Sequence, residues 1–144
     1  VIDRASFDTL LDAVTLGGGD RDALIYLATD ADPVHITRDQ FVEQVRVHAA
    51  ALAARGIGPG DLVILAHTQN LESVYLFWGA LYLGALPSMF PTLTEKLDPT
   101  VYAANMAELV AASGVKAVFT TARFAPQLAE TVECPVYGSL PPAG

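Results

Sequence analysis

An α/β fold with a largely parallel sheet and flanking helices is predicted by two features of this sequence. Short apolar runs of strand length alternate with longer segments of helical periodicity, and the connections between them are short. The run Leu62–Ala66 (LVILA) shows no polar alternation, as a strand covered on both faces requires. From Thr37 onward the expected order is helix, strand, helix, strand, helix, strand, helix, strand. Such an order implies right-handed crossovers between parallel strands.

The elements follow in order. Ser6 is a plausible cap for a first helix whose Phe7, Leu10, Leu11 and Val14 share one face, and glycines 17–19 end it. Residues 23–29 (ALIYLAT) read as a strand, 30–33 as a turn and Val34–Thr37 as the returning strand of a hairpin. Thr37 caps a long helix, and Gln40 three residues on completes a capping box. Phe41, Val45, Ala49 and Leu52 then form one stripe facing a core. Gly56 stops that helix, and a tight connection leads to Leu62–Ala66.

After a polar loop at 67–70, residues 71–83 are apolar nearly all round, which predicts a buried helix ended by Gly84. Residues 85–90 form a strand whose pairing Pro87 limits. Asp98 and Pro99 start a helix, as cap and first-turn proline, that runs to Ser113 and stops at Gly114. A strand is expected at 116–120 (KAVFT) and a helix at 121–131, in which Pro126 must begin a turn. A last short strand is expected at 134–137.

Composition narrows the function classes. The length of 144 residues suits one domain or one large subdomain. With 52% hydrophobic and 17% charged residues the chain is too apolar to be disordered, and part of its surface is expected to be covered by other protein. A formal net charge of -8 without a Lys/Arg cluster argues against nucleic-acid or membrane-surface binding. The longest apolar run, 74–89, is interrupted by Gly79, Gly84, Pro87 and Ser88 and falls short of the ~20 residues of a membrane span. One cysteine, Cys134, excludes an internal disulfide and agrees with a cytoplasmic location. No secretory signal is visible, and the chain starts without Met and stops at Pro-Pro-Ala-Gly. Both ends are therefore expected to be cuts in a longer chain.

Motifs for chemistry are sparse. The glycines of Gly56-x-Gly-x-Gly follow a helix and open a strand, the reverse of a dinucleotide fingerprint, so they read as a helix stop and turn. There is no Walker loop and no nucleophile elbow. His35, His48 and His67 lack partners at metal-ligand spacing. The pairs Asp8/Asp12 and Asp39/Glu43 read as solvated helix faces. His67 and Asn70 are the candidates for binding, because they follow a buried strand where open parallel sheets hold ligands. The competing reading is loop polarity, with Asn70 as a helix cap. No catalytic, cofactor-binding or metal-ligating residue is assigned.

Three blocks carry a family resemblance. The stretch from Val34 through Thr37 and Gln40 to Gly56-Ile-Gly-Pro-Gly-Asp-Leu-Val-Ile-Leu resembles the opening of adenylate-forming enzymes, the superfamily of acyl-CoA synthetases, luciferases and peptide-synthetase adenylation domains. Glu72 through Gly84-Ala85-Leu86-Pro87 to Pro91 resembles their second core motif. Residues 107–121 (AELVAASGVKAVFTT) resemble the block that follows. Together they cover roughly residues 5–130. The chain departs from the pattern at Arg38, where an aromatic is usual, at Gln69, where Asn is common, and at Met89, where Pro is frequent. The length of 92–105 is closer to the fatty-acyl and acyl-CoA ligase branches.

The resemblance implies an N-terminal subdomain of a partial AMP-binding (adenylation) domain spanning residues 1–144. The parent would use ATP and Mg2+ to convert a carboxylic acid to acyl-AMP and pyrophosphate, then pass the acyl group to CoA or a carrier-protein thiol. The family's phosphate loop, nucleotide motifs and catalytic lysine would lie downstream of Gly144. Thr37, Gly56, Gly60, Asp61, Gly84 and Pro91 match scaffold positions, so this part alone is expected to be inactive and to bind no cofactor tightly. Its expected partner is the remainder of its own domain, and self-association through an uncovered face or strand edge is expected of the part by itself. A docking module derived from such a domain, and an unrelated small α/β binding protein, are the alternatives.

Overall fold

Six strands and five helices make up the described residues, 7–139, of the computed structural model. A two-stranded antiparallel hairpin, β1 (Asp22–Tyr26) and β2 (Val34–Thr37), precedes a four-stranded parallel sheet. The sheet consists of β3 (Leu62–Ala66), β4 (Leu86–Met89), β5 (Ala117–Thr120) and β6 (Val136–Tyr137), in the spatial order β4-β3-β5-β6. The helices are α1 (Leu10–Thr15), α2 (Arg38–Ala53), α3 (Leu71–Tyr82), α4 (Pro99–Ser113) and α5 (Ala125–Ala129). The α/β class and the order of the eight elements after Thr37 are those the sequence predicts.

The alternation of side chains along β3 and β5 sets the layers. Val63, Leu65, Ala117 and Phe119 face one side and pack with Leu52 of α2 and Leu76 and Ala80 of α3. Ile64, Ala66 and Val118 face the other, against Tyr102, Met106 and Val110 of α4 and Leu128 of α5. All four residues of β5 are buried, as are four of the five in β3, so both strands are covered on both faces. A third cluster joins the hairpin to the helices through Ile36, Phe41, Val45 and Tyr75.

The local signals hold where the chain satisfies its own backbone. Thr37 Oγ1 accepts from the Gln40 N–H at 3.2 Å while Gln40 Oε1 accepts from the Thr37 N–H at 2.9 Å. The stripe of α2 is buried at Phe41, Val45, Ala49 and Leu52, as expected. Asp98 Oδ1 accepts from the Thr100 and Val101 N–H groups at the start of α4. Gly114 ends α4 in the left-handed region at φ 63, where a Cβ would crowd the backbone.

Other expectations are corrected. Ser6 lies outside the described residues, and α1 begins at Leu10 with Thr9 as its cap, in a capping box with Asp12. Phe7 therefore precedes the helix and is exposed with Leu10, while only Leu11 and Val14 of that set are half-buried. β1 stops at Tyr26, because β2 offers only four residues to pair with it, and Leu27 stands exposed. α5 spans Ala125–Ala129 rather than 121–131, because Pro126 fits only in a first turn. α3 is buried on one side only, at Ser73, Tyr75, Leu76, Gly79 and Ala80. Leu86 and Met89 of β4 are each 55% exposed, so this strand is an uncovered edge.

Tyr102 links α4 to the β4 exit. Its hydroxyl donates to the Pro91 C=O at 2.7 Å, its ring meets Phe90 edge-on, and burial pushes its hydroxyl up to about 12. In the unfolded chain a tyrosine ionises near about 10. The folded value is raised, so this contribution to stability is complete below pH ~10 and is lost as pH rises to about 12. Burial raises Tyr75 in the same direction. Urea midpoints followed by circular dichroism are expected to fall between pH ~10 and ~12, and to fall less in Tyr102→Phe.

Candidate functional site

The carboxyl ends of β3 and β5 are the place where an open parallel sheet presents loops to a ligand. Thr120 Oγ1 donates to the Ala66 C=O at 2.8 Å, which ties the two strands together at that end. His67 follows immediately, buried to 7% exposure. Its Nε2 lies 3.4 Å from Glu72 Oε2 in the first turn of α3. The contact is an ion pair only when the imidazole is protonated, and among the described residues Nε2 has no hydrogen-bond partner. Its Nδ1 faces Thr68 Oγ1 at 3.4 Å.

Asn70 is committed elsewhere. Its Oδ1 accepts from the Ser73 N–H at 2.9 Å, its Nδ2 donates to Thr68 Oγ1 at 3.3 Å, and Ser73 Oγ donates to the Asn70 C=O at 2.7 Å. This is a capping box that starts α3, so the amide is spent on the helix. Of the two candidates, only His67 presents a side-chain atom without a hydrogen bond. Glu72 and Thr121 are the residues that loop reading missed. Thr121 directly follows β5, next to the paired Ala66 and Thr120, and its Oγ1 is buried without a hydrogen-bond partner among the described residues. Its place one residue past a buried strand was the available signal.

The other histidines sit apart. His35 Nδ1 pairs with Asp22 Oδ2 at 2.7 Å on the exposed hairpin. His48 Nδ1 contacts the Gln44 C=O at 2.8 Å, and its ring lies 5.2 Å from that of Tyr75. One carboxylate of each pair accepts backbone bonds: Asp12 Oδ2 from the Asp8 and Thr9 N–H groups within its own helix start, and Asp39 Oδ1 from the Gly19 N–H at 2.8 Å, across to the loop before β1. Cys134 is half-buried, and burial pushes its thiol up, away from thiolate reactivity.

A triphosphate with a divalent cation does not fit the described residues. No three His, Cys, Asp or Glu side chains among them could hold a metal ion. The glycines with positive φ (17, 19, 56, 60, 84 and 114) end helices or lead into strands, and none opens a helix toward a phosphate. The strand-end cluster can make polar contacts through His67, Thr68 and Thr121. No described helix is long and apolar enough to cross a membrane.

Two clefts lie along α3. One of about 360 Å³ is lined by Val14, Leu24, Phe41, Val74 and Trp78, with Arg38 at its margin donating to the Gly17 C=O at 3.2 Å. The other, about 280 Å³, lies between Val74, Phe77, Trp78 and Met89. A third of about 270 Å³ lies on the opposite side of β4, between Phe90, Leu97, Val101 and Tyr102.

Comparison with known proteins agrees with this architecture. An acetyl-coenzyme A synthetase of Burkholderia lata is 32% identical over 86 residues, which are 60% of this chain and 13% of that protein. An acyl-CoA synthetase of Brucella canis matches with a TM-score of 0.74 at 25% identity, covering 93% of this chain and 24% of that one. The fold is also that of the O-succinylbenzoate coenzyme A synthetase of Bacillus subtilis in complex with AMP, with a TM-score of 0.69 at 21% identity, over 90% of this chain and 30% of that one. The chain thus spans a small share of each relative's length. The model of the AMP-binding enzyme family matches residues 12–140, from α1 to beyond β6, and on that match the chain belongs to the AMP-binding enzyme family.

Proposed function

We propose that residues 1–144 are the N-terminal subdomain of an adenylation domain, in a ligase that activates a carboxylic acid as acyl-AMP and passes it to CoA or a carrier-protein thiol. One observation carries the reading. The chain superposes over 93% of its length on an acyl-CoA synthetase while spanning 24% of that protein, which supports reading it as one part of a larger enzyme. The relatives named above are themselves coenzyme A synthetases.

In this reading the 144 residues supply scaffold. The parallel sheet and its helices form a wall, ATP and Mg2+ are held by other parts of the parent, and His67 offers one polar contact at the strand ends. A reducing, cytoplasmic setting suits the single Cys134. Leu86 and Met89, each 55% exposed, also favour a second reading, a docking module without chemistry, because both readings require other protein to cover that face.

Carboxylate-dependent ATP–pyrophosphate exchange separates the two. The product of the whole reading frame is expected to catalyse exchange with its preferred acid, and the purified 144 residues are expected to show none. Exchange by the 144 residues alone would overturn the scaffold assignment. A whole product inert toward a broad panel of acids would move the balance to the docking module.

A further inference from the structure

The larger cleft along α3 lies where α1, β1, α2 and α3 meet. Its floor is part of the third core cluster: Val14, Leu24, Val74 and Trp78 are half-buried around the buried Phe41. The Phe41 and Trp78 rings stand edge to face with centroids 6.3 Å apart, an aromatic floor that favours an apolar guest. The volume of about 360 Å³ falls within the range of small-molecule pockets, about 300–1,000 Å³.

Two opposite charges, Asp22 and Arg38, line the same cleft. Strand β1 carries one extra residue at this point: Leu24 pairs with Ile36, and Asp22 rather than Ala23 is the partner of Thr37. Such a bulge re-aims a side chain. It sets Asp22 beside the start of α2, where the Arg38 N–H donates to the Arg21 C=O at 2.9 Å. The two charges do not pair with each other. Arg38 Nη1 donates to the Gly17 C=O at 3.2 Å, and Asp22 Oδ2 meets His35 Nδ1 at 2.7 Å. Both keep capacity for a guest, since a guanidinium has five N–H donors and a carboxylate has a second oxygen. A purely anionic guest is repelled by Asp22 and a purely cationic one by Arg38. A guest that carries both charges and an apolar body matches rim and floor together.

We propose that this cleft binds a free α-amino acid with an apolar side chain. Its carboxylate lies on Arg38, its ammonium on Asp22 and its side chain over Phe41 and Trp78. The site is separate from His67 at the strand ends, which does not line it. The inference uses residues of this chain alone and stands or falls independently of the ligase reading.

Fluorine NMR of the fluorotryptophan-labelled whole reading-frame product tests it, with the Trp78 resonance assigned through Trp78→Phe. L-Phenylalanine is expected to shift that resonance saturably, with an affinity about tenfold or more above those of phenylpropionate and phenethylamine, which each lack one charge. Arg38→Gln and Asp22→Asn are each expected to weaken binding about tenfold, and Arg38→Lys to recover part of the loss. Carboxylate-dependent exchange, measured with saturating acid, is expected to be unchanged in these variants, which separates the cleft from any catalytic centre. Phenylpropionate binding as tightly as phenylalanine would overturn the zwitterion assignment in favour of a simple carboxylate site, and equal binding of phenethylamine in favour of an amine site. An unmoved Trp78 resonance at about 10 mM phenylalanine would overturn the site itself.

Discussion

Gly79→Leu is expected to cost about 3 kcal/mol or more, the upper range for forcing bulk into a packed interior. Gly79 lies in the middle of α3 at its crossing with α2. A Cβ built there would sit 2.9 Å from the Ala49 backbone nitrogen and 3.1 Å from the His48 carbonyl carbon. Neither atom belongs to a flexible side chain, so the two helices must separate. Even Gly79→Ala, which at an open helical site gains about 1 kcal/mol from propensity, is expected to destabilise here. Equilibrium urea unfolding gives the answer, and an alanine variant more stable than the parent would show that the crossing is loose.

Phe119→Ala is expected to lose about 3–5 kcal/mol, as for other large-to-small changes in a filled core. Phe119 is 1% exposed, lies on β5 between two strands, and packs with Leu52, Leu65 and Leu76 while stacking on Tyr137. Removing the ring opens a cavity that strands held on both sides cannot close by moving together. A domain of this size is stable by only about 5–15 kcal/mol, so one such loss is a large share of the total. A drop in unfolding free energy below ~1 kcal/mol would mean that the site collapses freely.

The difference between these two positions shows what was legible beforehand. Phe119 lies in a short apolar run, and its burial follows from composition alone. Gly79 looks like an interruption of the apolar stretch 74–89, although the backbone of α2 lies directly against it. Helix propensity penalises glycine, and nothing local reveals that another backbone fills the space of the missing side chain. Met89 falls within the strand expected at 85–90. Its residue type fits a core, but its exposure depends on whether a neighbour is present.

The candidate site divides in the same way. His67 was visible as a polar residue after a buried strand, and Asn70 as a helix cap, because both roles depend on neighbours within a few residues. Glu72 is only five residues from His67, but its approach depends on how α3 leaves the loop; the place of Thr121 next to the Ala66–Thr120 pair depends on strand register, which no short window contains. Family membership was carried by three ordered blocks spread over most of the chain, and the match over residues 12–140 agrees with it.

By itself the sequence determined the fold class, the order of the elements, the α2 and α4 boundaries and the family. These rest on capping chemistry, periodicity and ordered motifs, all of which act along the chain. Tertiary structure alone decided the strand order β4-β3-β5-β6, the α2–α3 contact at Gly79 and the exposure of the β4 edge. These depend on which segments meet across the fold, where hydrogen-bond direction and the space left by other backbones are settled.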